Sequence, residues 1–441
     1  GLRFVQFHLL SASHGDGEVA IGARGLSGSA YRGHVFWDTD VFVVPALCAL
    51  DPDSARAALM YRWHRLPAAR RRAAAEGRRG ARFPWESARF GDEQTPTEAT
   101  DLQGRTIPIR TGLLEEHIVA DVAWAVQTYA NWTGDHAFMA LAGHELLAET
   151  ARYWSSRVDE DADGSAHIRR VIGPDEYHED VDDNVFTNLL ARFNLRVASS
   201  AAGGRVSATE RRRWLRIADA LHDGFDRSTR VHEQFAGFHR LDPVMACSVG
   251  APPFSADVVL GRDVVRRSQI IKQADVLMLH HMIPDEMPPG SLEADLDYYL
   301  PRTSHGSSLS PAIHAGLLAR LGRFDGALDL LRLAARFDLD DVSGTTAGGV
   351  HLATMGGVVQ AMLQGVLGIR PNDRTIEFDP RVPDELGCVV QRFRCRGAGV
   401  EVTVEGDRAE WRGSKPLDVA LSSGETVHGS RIDFRRSDEG W

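Results

Sequence analysis

The residues best suited to chemistry lie in one turn of the chain, VIGPDEYHEDVDDNVFTN at 171–188, which holds six carboxylates. Gly173 and Pro174 cannot continue a helix, so the side chains that follow are expected at the end of a loop. Glu176 stands there beside another carboxylate and an aromatic ring. Like charge and desolvation both raise the pKa of a carboxyl group, which suits a general acid working near neutral pH. Glu176 is therefore the candidate general acid.

The acidic residues that follow have a simpler structural explanation. Asp180, Asp182 and Asp183 precede a segment with helical periodicity. Aspartates at a helix N-terminus accept hydrogen bonds from free amides and complement the helix dipole. Capping is the interpretation that we prefer for these three residues.

A second candidate site combines an aromatic ring with a carboxylate. Trp37 and Asp38 stand at the start of a predicted apolar helix, 38–50, behind a glycine-rich loop. A tryptophan ring can stack on the apolar face of a sugar while a carboxylate accepts hydrogen bonds from its hydroxyls. A core tryptophan and a capping aspartate explain the same residues, so both interpretations stay open. The glycines predict a loop packed closely against another segment, but no nucleotide-binding motif is present.

Lys272 is one of only two lysines in the chain. With Gln273 and Asp275 it falls in a predicted apolar helix, 265–281, where an unpaired polar group costs roughly 2–7 kcal/mol. These side chains are therefore expected to bind a ligand or one another. The spacing of Lys272 and Asp275 also permits a structural ion pair.

Two loops rich in small polar residues precede predicted helices and suit an anion. Hydroxyl groups and free amides at a helix N-terminus form such a site, and capping alone would explain one serine but not the whole cluster. The second loop, GTTAGGVH, ends at His351. The first loop carries Arg302, Ser304, His305, Gly306, Ser307 and Ser308.

An acid beside an oxyanion site has a definite chemical interpretation. An inverting glycosidase needs one carboxylic acid to protonate the leaving oxygen and a second carboxylate to activate water. Inorganic phosphate is already an ionised nucleophile, so a phosphorylase can omit the second carboxylate and hold phosphate instead.

The composition restricts the partners. The chain has 441 residues and a net charge of −11, which argues against nucleic acid or an anionic membrane as a main partner. No run of 18 apolar residues or secretory leader is evident, so we expect a soluble cytoplasmic protein. The four cysteines have neither C-x-x-C nor zinc-finger spacing, and no metal site is predicted.

Helical periodicity runs through most of the chain and predicts a mainly α fold of antiparallel helix pairs. The pairs lack the fixed repeat of a solenoid and carry aromatic and acidic loops, which favours a closed α/α toroid with its site at one mouth. The predicted helices span 4–10, 38–50, 52–76, 117–132, 135–156, 183–202, 208–225, 265–281, 309–321, 324–337 and 345–367.

After Pro371 the apolar period changes to two, which is typical of half-buried strands. Strands are predicted over 375–379, 388–393, 400–405 and 417–421. We therefore expect a helical domain over 1–369 and a small antiparallel β domain over 370–441.

With these motifs in order along the chain, the sequence resembles glycoside hydrolase family 65, the inverting phosphorylases of maltose, trehalose, kojibiose and related α-glucosides. The resemblance covers nearly the whole chain and rests on RGHVFWDTD (32–40), FPWES (83–87), EHI (116–118), GPDEYHEDVDDNVFTN (173–188), HEQF (232–235), KQADV (272–276), PRTSHGSSLS (301–310) and GTTAGGVHLATMGG (344–357).

The resemblance implies an (α/α)6 barrel followed by a C-terminal β-sandwich, with no metal and no organic cofactor. It implies phosphorolysis of an α-disaccharide to β-glucose 1-phosphate and a released sugar, with Glu176 as general acid and inorganic phosphate as co-substrate. It assigns recognition of the glucosyl group to Trp37, Asp38, Lys272 and Gln273. It assigns phosphate to Ser307, Ser308 and His351, with Arg302 and Gly306 nearby.

The sequence departs from the family pattern in two ways. Members usually carry an N-terminal β-sandwich that helps to close the pocket and build the dimer, and this sequence starts at the first barrel helix. We therefore expect a homodimer, or a chain paired with such a domain. Gly306 also stands where many phosphorylases have aspartate, which predicts a different acceptor specificity.

Two other functions remain open from the sequence. One is an inverting α-glucosidase or trehalase of the same family, with Glu233 or Glu286 as the base that activates water. The other is a catalytically silent sugar-binding subunit of a split enzyme. The absence of an acid from the SHGSSLS loop favours phosphorolysis over hydrolysis.

Overall fold

The computed structural model of the chain describes residues 1–13, 15–100, 104–201, 203–436 and 441. Helices occupy most of the chain up to residue 366, and a sheet follows from residue 369. The helices are α1 Leu2–Ser11, α2 Val44–Leu50, α3 Pro52–His64, α4 Leu66–Ala75, α5 Thr111–Leu114, α6 Ile118–Thr133, α7 His136–Phe138, α8 His144–Arg157, α9 Val185–Ala201, α10 Ala208–Ala220, α11 Ala246–Val249, α12 Ala256–Leu260, α13 Arg262–Arg266, α14 Asp275–Met282, α15 Ser291–Tyr299, α16 Ser310–Arg320, α17 Phe324–Arg336 and α18 Leu352–Gln360.

Three π-helical segments extend these helices. Asp38–Val43 leads into α2, Met139–Gly143 joins α7 to α8, and Ala361–Val366 continues α18. The helices predicted for 38–50 and 135–156 are therefore confirmed as continuous helical segments with a wider turn inside them.

Two predicted helices are divided in the structure. The helix predicted for 52–76 ends at His64, and α4 begins at Leu66 with Pro67 in its first turn, where a missing N–H costs nothing. The helix predicted for 265–281 is wrong over its first half. Only α13 and α14 are helical there, because residues 268 to 274 run along neighbouring loops and form isolated β-bridges.

Two other helices end close to their predicted limits. The predicted helix 183–202 begins at Val185, and its predicted end at Ala202 lies outside the described residues. The helix predicted for 208–225 stops at Ala220, since Phe225 and Asp226 pair with Val231–His232 as a two-stranded hairpin.

The helices pack in neighbouring pairs and return to the beginning of the chain. α9 packs against α6, α8 and α10, and α16 packs against α14, α17 and α18. α18 in turn contacts α1, α2 and the segment Asp38–Val43. The last long helix therefore holds the loop that carries Trp37 and Asp38.

A close backbone approach also holds the segment Ala361–Val366 against α16. A Cβ atom on Gly365, just beyond α18, would lie 2.4 Å from the Cα atom of Gly316 in α16. Glycine at this position lets the two helical segments come closer than any side chain would allow.

The strands are short except near the C-terminus. They are β1 Glu98–Thr100, β2 Thr106–Pro108, β3 Asp159–Glu160, β4 Ala166–His167, β5 Phe225–Asp226, β6 Val231–His232, β7 Ile369–Pro371, β8 Ile376–Phe378, β9 Val389–Cys395, β10 Ala398–Glu405, β11 Arg408–Leu421 and β12 Thr426–Arg435.

The C-terminal strands form one curled sheet in the order β7-β8-β11-β10-β9, with β12 also paired to β11. The register of β11 shifts between Arg412 and Leu417. Its first half pairs with β10 and its second half with β8, so the sheet bends at this irregularity. The pairing of β8 with β11 is parallel, which differs from the fully antiparallel domain that the sequence predicted.

The buried ion pair between Asp40 and Arg62 generates a stability prediction. Arg62 Nε donates to Asp40 Oδ1 at 3.1 Å, and both side chains are 1% exposed. We expect Asp40→Asn to lower the free energy of unfolding by roughly 3–5 kcal/mol in urea denaturation, because it leaves a buried guanidinium without its counter-charge.

The matched control is the exposed pair of Arg336 and Asp340, whose side chains are 57% and 44% exposed. Asp340→Asn should cost about 0.3–0.5 kcal/mol, since solvent screens that pair. Equal losses in the two variants would contradict the importance of the buried pair.

Candidate functional site

Asp175 anchors the predicted catalytic turn. Its buried carboxylate accepts hydrogen bonds from the backbone N–H of Lys272 at 2.8 Å and from Gln234 Nε2 at 2.9 Å. Its own backbone N–H donates to Asp275 Oδ1 at 2.8 Å. The turn and the segment that leads into α14 are therefore held together as one unit.

Glu176 and Lys272 face each other across this junction. The Nζ atom of Lys272 lies 2.8 Å from Oε1 of Glu176, and the two side chains are 24% and 36% exposed, respectively. Both border a cavity of about 290 Å³, which is large enough for a sugar-sized group. The cavity is also lined by Tyr177, Glu179, Ser255, Asp257, Arg262 and Gly306.

The expected placement of Lys272 and Gln273 inside a helix is wrong. Helix α14 begins at Asp275, and Ala274 before it is extended. Lys272 pairs with Glu176 and not with Asp275, the structural partner that the spacing also permitted. Asp275 accepts a hydrogen bond from the side chain of Asn184 at 2.7 Å. Leaving the helix is what lets the two polar side chains reach the catalytic turn.

The charge state of Lys272 follows from its neighbours. Burial lowers the pKa of this ammonium group, but the carboxylates of Glu176 and Glu115 raise it by more, so its pKa lies above the ordinary value. A permanent positive charge therefore lies against the candidate acid.

Trp37 is buried and lies beside Gln273 in a narrow cleft next to the catalytic turn. Its ring meets the ring of His117 edge-on at 5.2 Å. Gln273 donates through Nε2 to the backbone oxygen of Pro174 at 2.6 Å. The structure thus brings two of the predicted glucosyl-binding residues together.

Asp38 does not cap the helix that it begins, since the N-cap residue is Trp37 and no side chain caps the first turn. Burial raises the pKa of Asp38 to about 6. The charge of Glu176 also raises this pKa, while those of Arg24 and Lys272 lower it. Asp38 therefore lies within electrostatic reach of the candidate acid and of two cations.

Ser307 and Ser308 lie at the N-terminal end of α16, as the anion-site interpretation requires. The backbone N–H of Leu309 donates to Ser307 Oγ at 3.3 Å. Thr354 in α18 donates through Oγ1 to the backbone oxygen of Ser308 at 3.0 Å. This contact joins the serine loop to the helix that follows His351.

His351 is oriented by Asp338. Its Nδ1 atom lies 2.6 Å from Asp338 Oδ1, and its backbone N–H donates to Oδ2 of the same carboxylate at 2.8 Å. Burial raises the pKa of Asp338, but the hydrogen bonds from His351 lower it by more, so the net pKa lies below the ordinary value. An ionised carboxylate accepts the Nδ1 proton and leaves His351 Nε2, which lies 3.5 Å from Thr345 Oγ1, as a hydrogen-bond acceptor.

Arg302 has protein partners away from the serines. Its Nε donates to Gln269 Oε1 at 2.9 Å, its Nη1 donates to the backbone oxygen of Tyr298 at 2.7 Å, and it lies over the ring of Tyr298. Arg302 therefore braces the end of α15 and supports the serine loop indirectly.

Sequence reasoning missed Glu115, which directly precedes the EHI motif. Both carboxyl oxygens are buried and have no hydrogen-bond partner among the described residues. Burial, and then the charge of Glu176, raise the pKa of Glu115 well above its usual range. Two adjacent acidic residues before a helix were the available signal, but nothing in their spacing showed which would face the site.

One group in the described part of the chain has the composition of a metal site: His232, His280 and Asp295. His232 Nδ1 and His280 Nε2 both lie 2.8 Å from Asp295 Oδ2. Two histidines that share one carboxylate oxygen at hydrogen-bond distance form a buried polar network.

Known proteins match nearly the whole chain. The model of the glycosyl hydrolase family 65 central catalytic domain matches residues 3–360, and the model of the family 65 C-terminal domain matches residues 369–428. These matches first define the class, because both models describe domains of glycosyl hydrolases. More narrowly, the chain belongs to glycosyl hydrolase family 65, and the resemblance drawn from its motifs is confirmed.

Curated relatives include a kojibiose phosphorylase of Caldanaerobacter subterraneus, 37% identical over 91% of this chain and 55% of the relative. The kojibiose phosphorylase of Halothermothrix orenii is 34% identical over 92% of this chain and 55% of the relative. An α,α-trehalose phosphorylase of Thermoanaerobacter brockii is 31% identical over 91% and 53%. The chain spans about half the length of these relatives.

A solved structure of a putative kojibiose phosphorylase from the human microbiome superposes with a TM-score of 0.87 at 25% identity. The match covers 100% of this chain and 66% of that protein.

Across the described residues, each helix is too short or too polar to cross a membrane.

The close packing of Gly306 generates a prediction about the cavity wall. A Cβ atom at this position would lie 2.7 Å from Tyr177 Oη and 3.2 Å from the backbone oxygen of Phe254. We expect Gly306→Ala to displace Tyr177 and to lower the free energy of unfolding by about 1–3 kcal/mol, as overpacking does.

The control is Gly399→Ala, because a Cβ atom on Gly399 would meet no atom within 4 Å. Chemical denaturation of the two variants measures the difference. If Gly306→Ala loses as little free energy of unfolding as the control, the cavity wall accommodates the added methyl group without strain, and the prediction is wrong.

The raised pKa of Asp38 predicts a pH-dependent gain in stability for Asp38→Asn. The folded-state pKa of about 6 lies above the ordinary value of 3.8, so protonation favours the folded state. That contribution is complete below pH 3.8 and is lost as the pH rises through 6. Relative to the wild type, Asp38→Asn should therefore gain more stability at pH 8 than at pH 4 in urea titrations.

Asp163→Asn should show the opposite sign, since hydrogen bonds from Ser165 lower the pKa of the exposed Asp163. Its stability relative to the wild type should fall as the pH rises through about 3.8 and then stay level up to pH 8, because a depressed pKa contributes its full stability only above that range. A gain for Asp38→Asn that does not change with pH would contradict the assigned pKa.

Proposed function

We propose that the chain carries the active site of an inverting phosphorylase that acts on an α-linked glucosyl disaccharide. The reaction transfers the glucosyl group to inorganic phosphate and releases β-glucose 1-phosphate and the second sugar, in either direction. The kojibiose and trehalose phosphorylases among the relatives support this substrate class. Activity on a panel of α-glucobioses identifies the particular linkage.

The observation that carries the proposal is the convergence of separate motifs on one site. Glu176 and Lys272 lie 2.8 Å apart, and Asp38 is in electrostatic reach of both. Trp37 and Gln273 share the adjoining cleft. We assign the binding of the glucosyl group to Trp37, Asp38, Lys272 and Gln273, and the proton transfer to Glu176.

The anion site supports phosphate as the nucleophile. Ser307 and Ser308 precede α16, and the Thr354 contact joins their loop to the segment of His351. These groups supply hydroxyls, free amides and an imidazole, which suit a phosphate oxygen. We retain Gly306 and Arg302 in the phosphate site as the residues that shape and brace the serine loop.

The proposed reaction balances without a metal or an organic cofactor. Glu176 gives its proton to the glycosidic oxygen as the bond from that oxygen to the anomeric carbon breaks. A phosphate oxygen attacks the same carbon from the opposite face, so the configuration inverts from α to β. The proton that hydrogen phosphate brings then passes to Glu176 and restores the acid.

The two carboxylates proposed as bases for hydrolysis are engaged elsewhere. Glu233 Oε1 accepts hydrogen bonds from the backbone N–H groups of Gly237 at 3.1 Å and His239 at 3.0 Å. Glu286 forms an ion pair with Arg196. These contacts favour phosphorolysis over hydrolysis.

The same assignment extends to the architecture. We infer that the helical part, 1–369, is an (α/α)6 barrel, and that the curled sheet of 370–441 is the family's C-terminal β-sandwich. We further infer a homodimer in the cytoplasm. Light scattering of the purified protein tests the dimer.

The proposal is tested by incubating the protein with a panel of α-glucobioses, each with and without phosphate. We expect β-glucose 1-phosphate only when phosphate is present, with one linkage strongly preferred. Glu176→Gln should lower the rate by roughly 10²–10⁴-fold, which is the usual contribution of a general acid.

The control is Glu286→Gln, which removes a carboxylate that lies in an ion pair with Arg196 and should keep the rate within a few-fold. Glucose release that is independent of phosphate would overturn the proposal in favour of hydrolysis. Thermal stabilisation by glucose without any turnover would favour the silent subunit.

A further inference from the structure

Arg24, which lies in the glycine-rich loop before Trp37, contacts the second anion loop. Its side chain is buried, and Nη1 donates to the backbone oxygen of Gly349 at 2.7 Å. Nη2 donates to Thr345 Oγ1 at 3.2 Å. Arg24 therefore ties together two segments more than 300 residues apart in sequence.

Glycines in both segments, the glycine-rich loop before Trp37 and the loop that leads to His351, make this approach possible. A Cβ atom on Gly28 would lie 2.2 Å from the backbone oxygen of Gly348, and one on Gly349 would lie 2.8 Å from Arg24 Cβ. The predicted close packing of the glycine-rich loop is confirmed, and its partner is the loop that leads to His351.

Arg24 forms no ion pair with a carboxylate among the residues that the structure describes. A buried guanidinium normally has a carboxylate or an anionic ligand as its partner, because an isolated buried charge is costly. Arg65 shows the usual arrangement: it is equally buried and contacts backbone oxygens, but it also lies 3.8 Å from Glu18. The positive charge of Arg24 is therefore available to an anion.

The position of Arg24 relative to His351 also points to the site. Nη1 of Arg24 lies 3.2 Å from His351 Nδ1, the nitrogen that faces Asp338. Because the ionised Asp338 takes the proton on that nitrogen, Arg24 cannot donate there and is held by its bonds to Gly349 and Thr345. Nε and one N–H of Nη2 have no acceptor among the described residues.

The nearby charge of Asp38 places Arg24 on the glucosyl side as well. Arg24 is one of the two cations that lower the pKa of Asp38, the other being Lys272. Arg24 therefore lies beside the imidazole assigned to phosphate and within electrostatic reach of the carboxylate assigned to the sugar. A phosphoryl group that attacks the anomeric carbon has to occupy the same region.

We propose that Arg24 is a further ligand of the anionic co-substrate. Its free N–H groups bind an oxygen of inorganic phosphate, or of the phosphoryl group of the sugar phosphate in the reverse direction. Its remaining N–H groups fix the loop of His351 through Gly349 and Thr345. The proposal rests on the phosphorylase function proposed above and adds a cation to the phosphate-binding groups, which otherwise are hydroxyls, backbone amides and an imidazole.

The test compares Arg24→Ala and Arg24→Lys in the full protein by steady-state kinetics and by calorimetric titration with inorganic phosphate alone. Arg24→Ala should raise the KM for phosphate and the Kd of phosphate at least tenfold, while the KM for the disaccharide stays within about twofold. Arg24→Lys should recover part of the phosphate affinity, since it restores the charge but not the forked geometry.

Arg65→Ala is the matched control, because Arg65 is also buried, binds backbone oxygens and lies over a tyrosine ring. It should leave phosphate affinity unchanged even where it lowers the melting temperature. Wild-type phosphate affinity in Arg24→Ala would overturn the assignment of Arg24 alone. A rise of both KM values in Arg24→Ala and Arg24→Lys alike would reduce Arg24 to a structural brace.

These outcomes are distinct from failure of the proposed function. If the wild-type protein releases glucose without phosphate and binds no phosphate in the titration, both the phosphorylase and the Arg24 proposals are overturned. Phosphate binding by the wild type without turnover, lost in Arg24→Ala, would support the anion site while leaving the proposed reaction contradicted.

Discussion

The hydrogen bonds of the buried Asp175 carboxylate hold the site together. Asp175 accepts the backbone N–H of Lys272, and its own N–H reaches Asp275 in the first turn of α14. These bonds fix the turn that carries Asp175 against the segment that leads into α14. Glu176, the residue after Asp175, therefore meets Lys272 side by side. A general acid needs such a fixed position more than it needs any particular fold around it.

The same junction concentrates negative charge in the interior. Burial, and then the charge of Asp175, raise the pKa of Asp275 well above its usual range, which favours the protonated, neutral form of Asp275. Asn184 donates to Asp275 at 2.7 Å and compensates part of this cost. Asp175 and Asp275, from the GPDEY and KQADV motifs, are therefore structural, whereas Glu176 and Lys272 line the cavity and Gln273 lines the adjoining cleft.

This division explains how far the sequence could predict the site. Glu176, Trp37 and Ser307 stand in motifs whose residue types suggest their chemistry, and the structure places each at a cavity, a cleft or a helix N-terminus. The helix predicted around Lys272 failed because its apolar pattern belongs equally to a buried extended segment, which periodicity cannot distinguish from a helix. Arg24 was not found because its contacts with Gly349 and Thr345 depend on a closure across the whole fold.

The fold shows the same limit. Helices α16 and α17 were predicted closely, since α17 has a continuous apolar face and α16 is apolar and buried along almost its whole length. The parallel pairing of β8 with β11 was not predicted, because strand order depends on the bend in β11 and not on the alternation within each strand. Local patterns thus identify elements, whereas the partner of each element is settled by contacts distant in sequence.

The charges around Asp38 connect the sugar and phosphate sides of the proposed reaction. Burial and Glu176 raise the pKa of Asp38, and Arg24 and Lys272 lower it. If phosphate binds Arg24, the anion offsets one of the two cations and the pKa of Asp38 rises further. The negative charge of Glu176 acts in the same direction, and in the proposed reaction it is absent until Glu176 gives its proton to the glycosidic oxygen. In the proposed reaction, the pKa of the carboxylate assigned to a sugar hydroxyl is therefore coupled to both the arrival of the nucleophile and the departure of the proton.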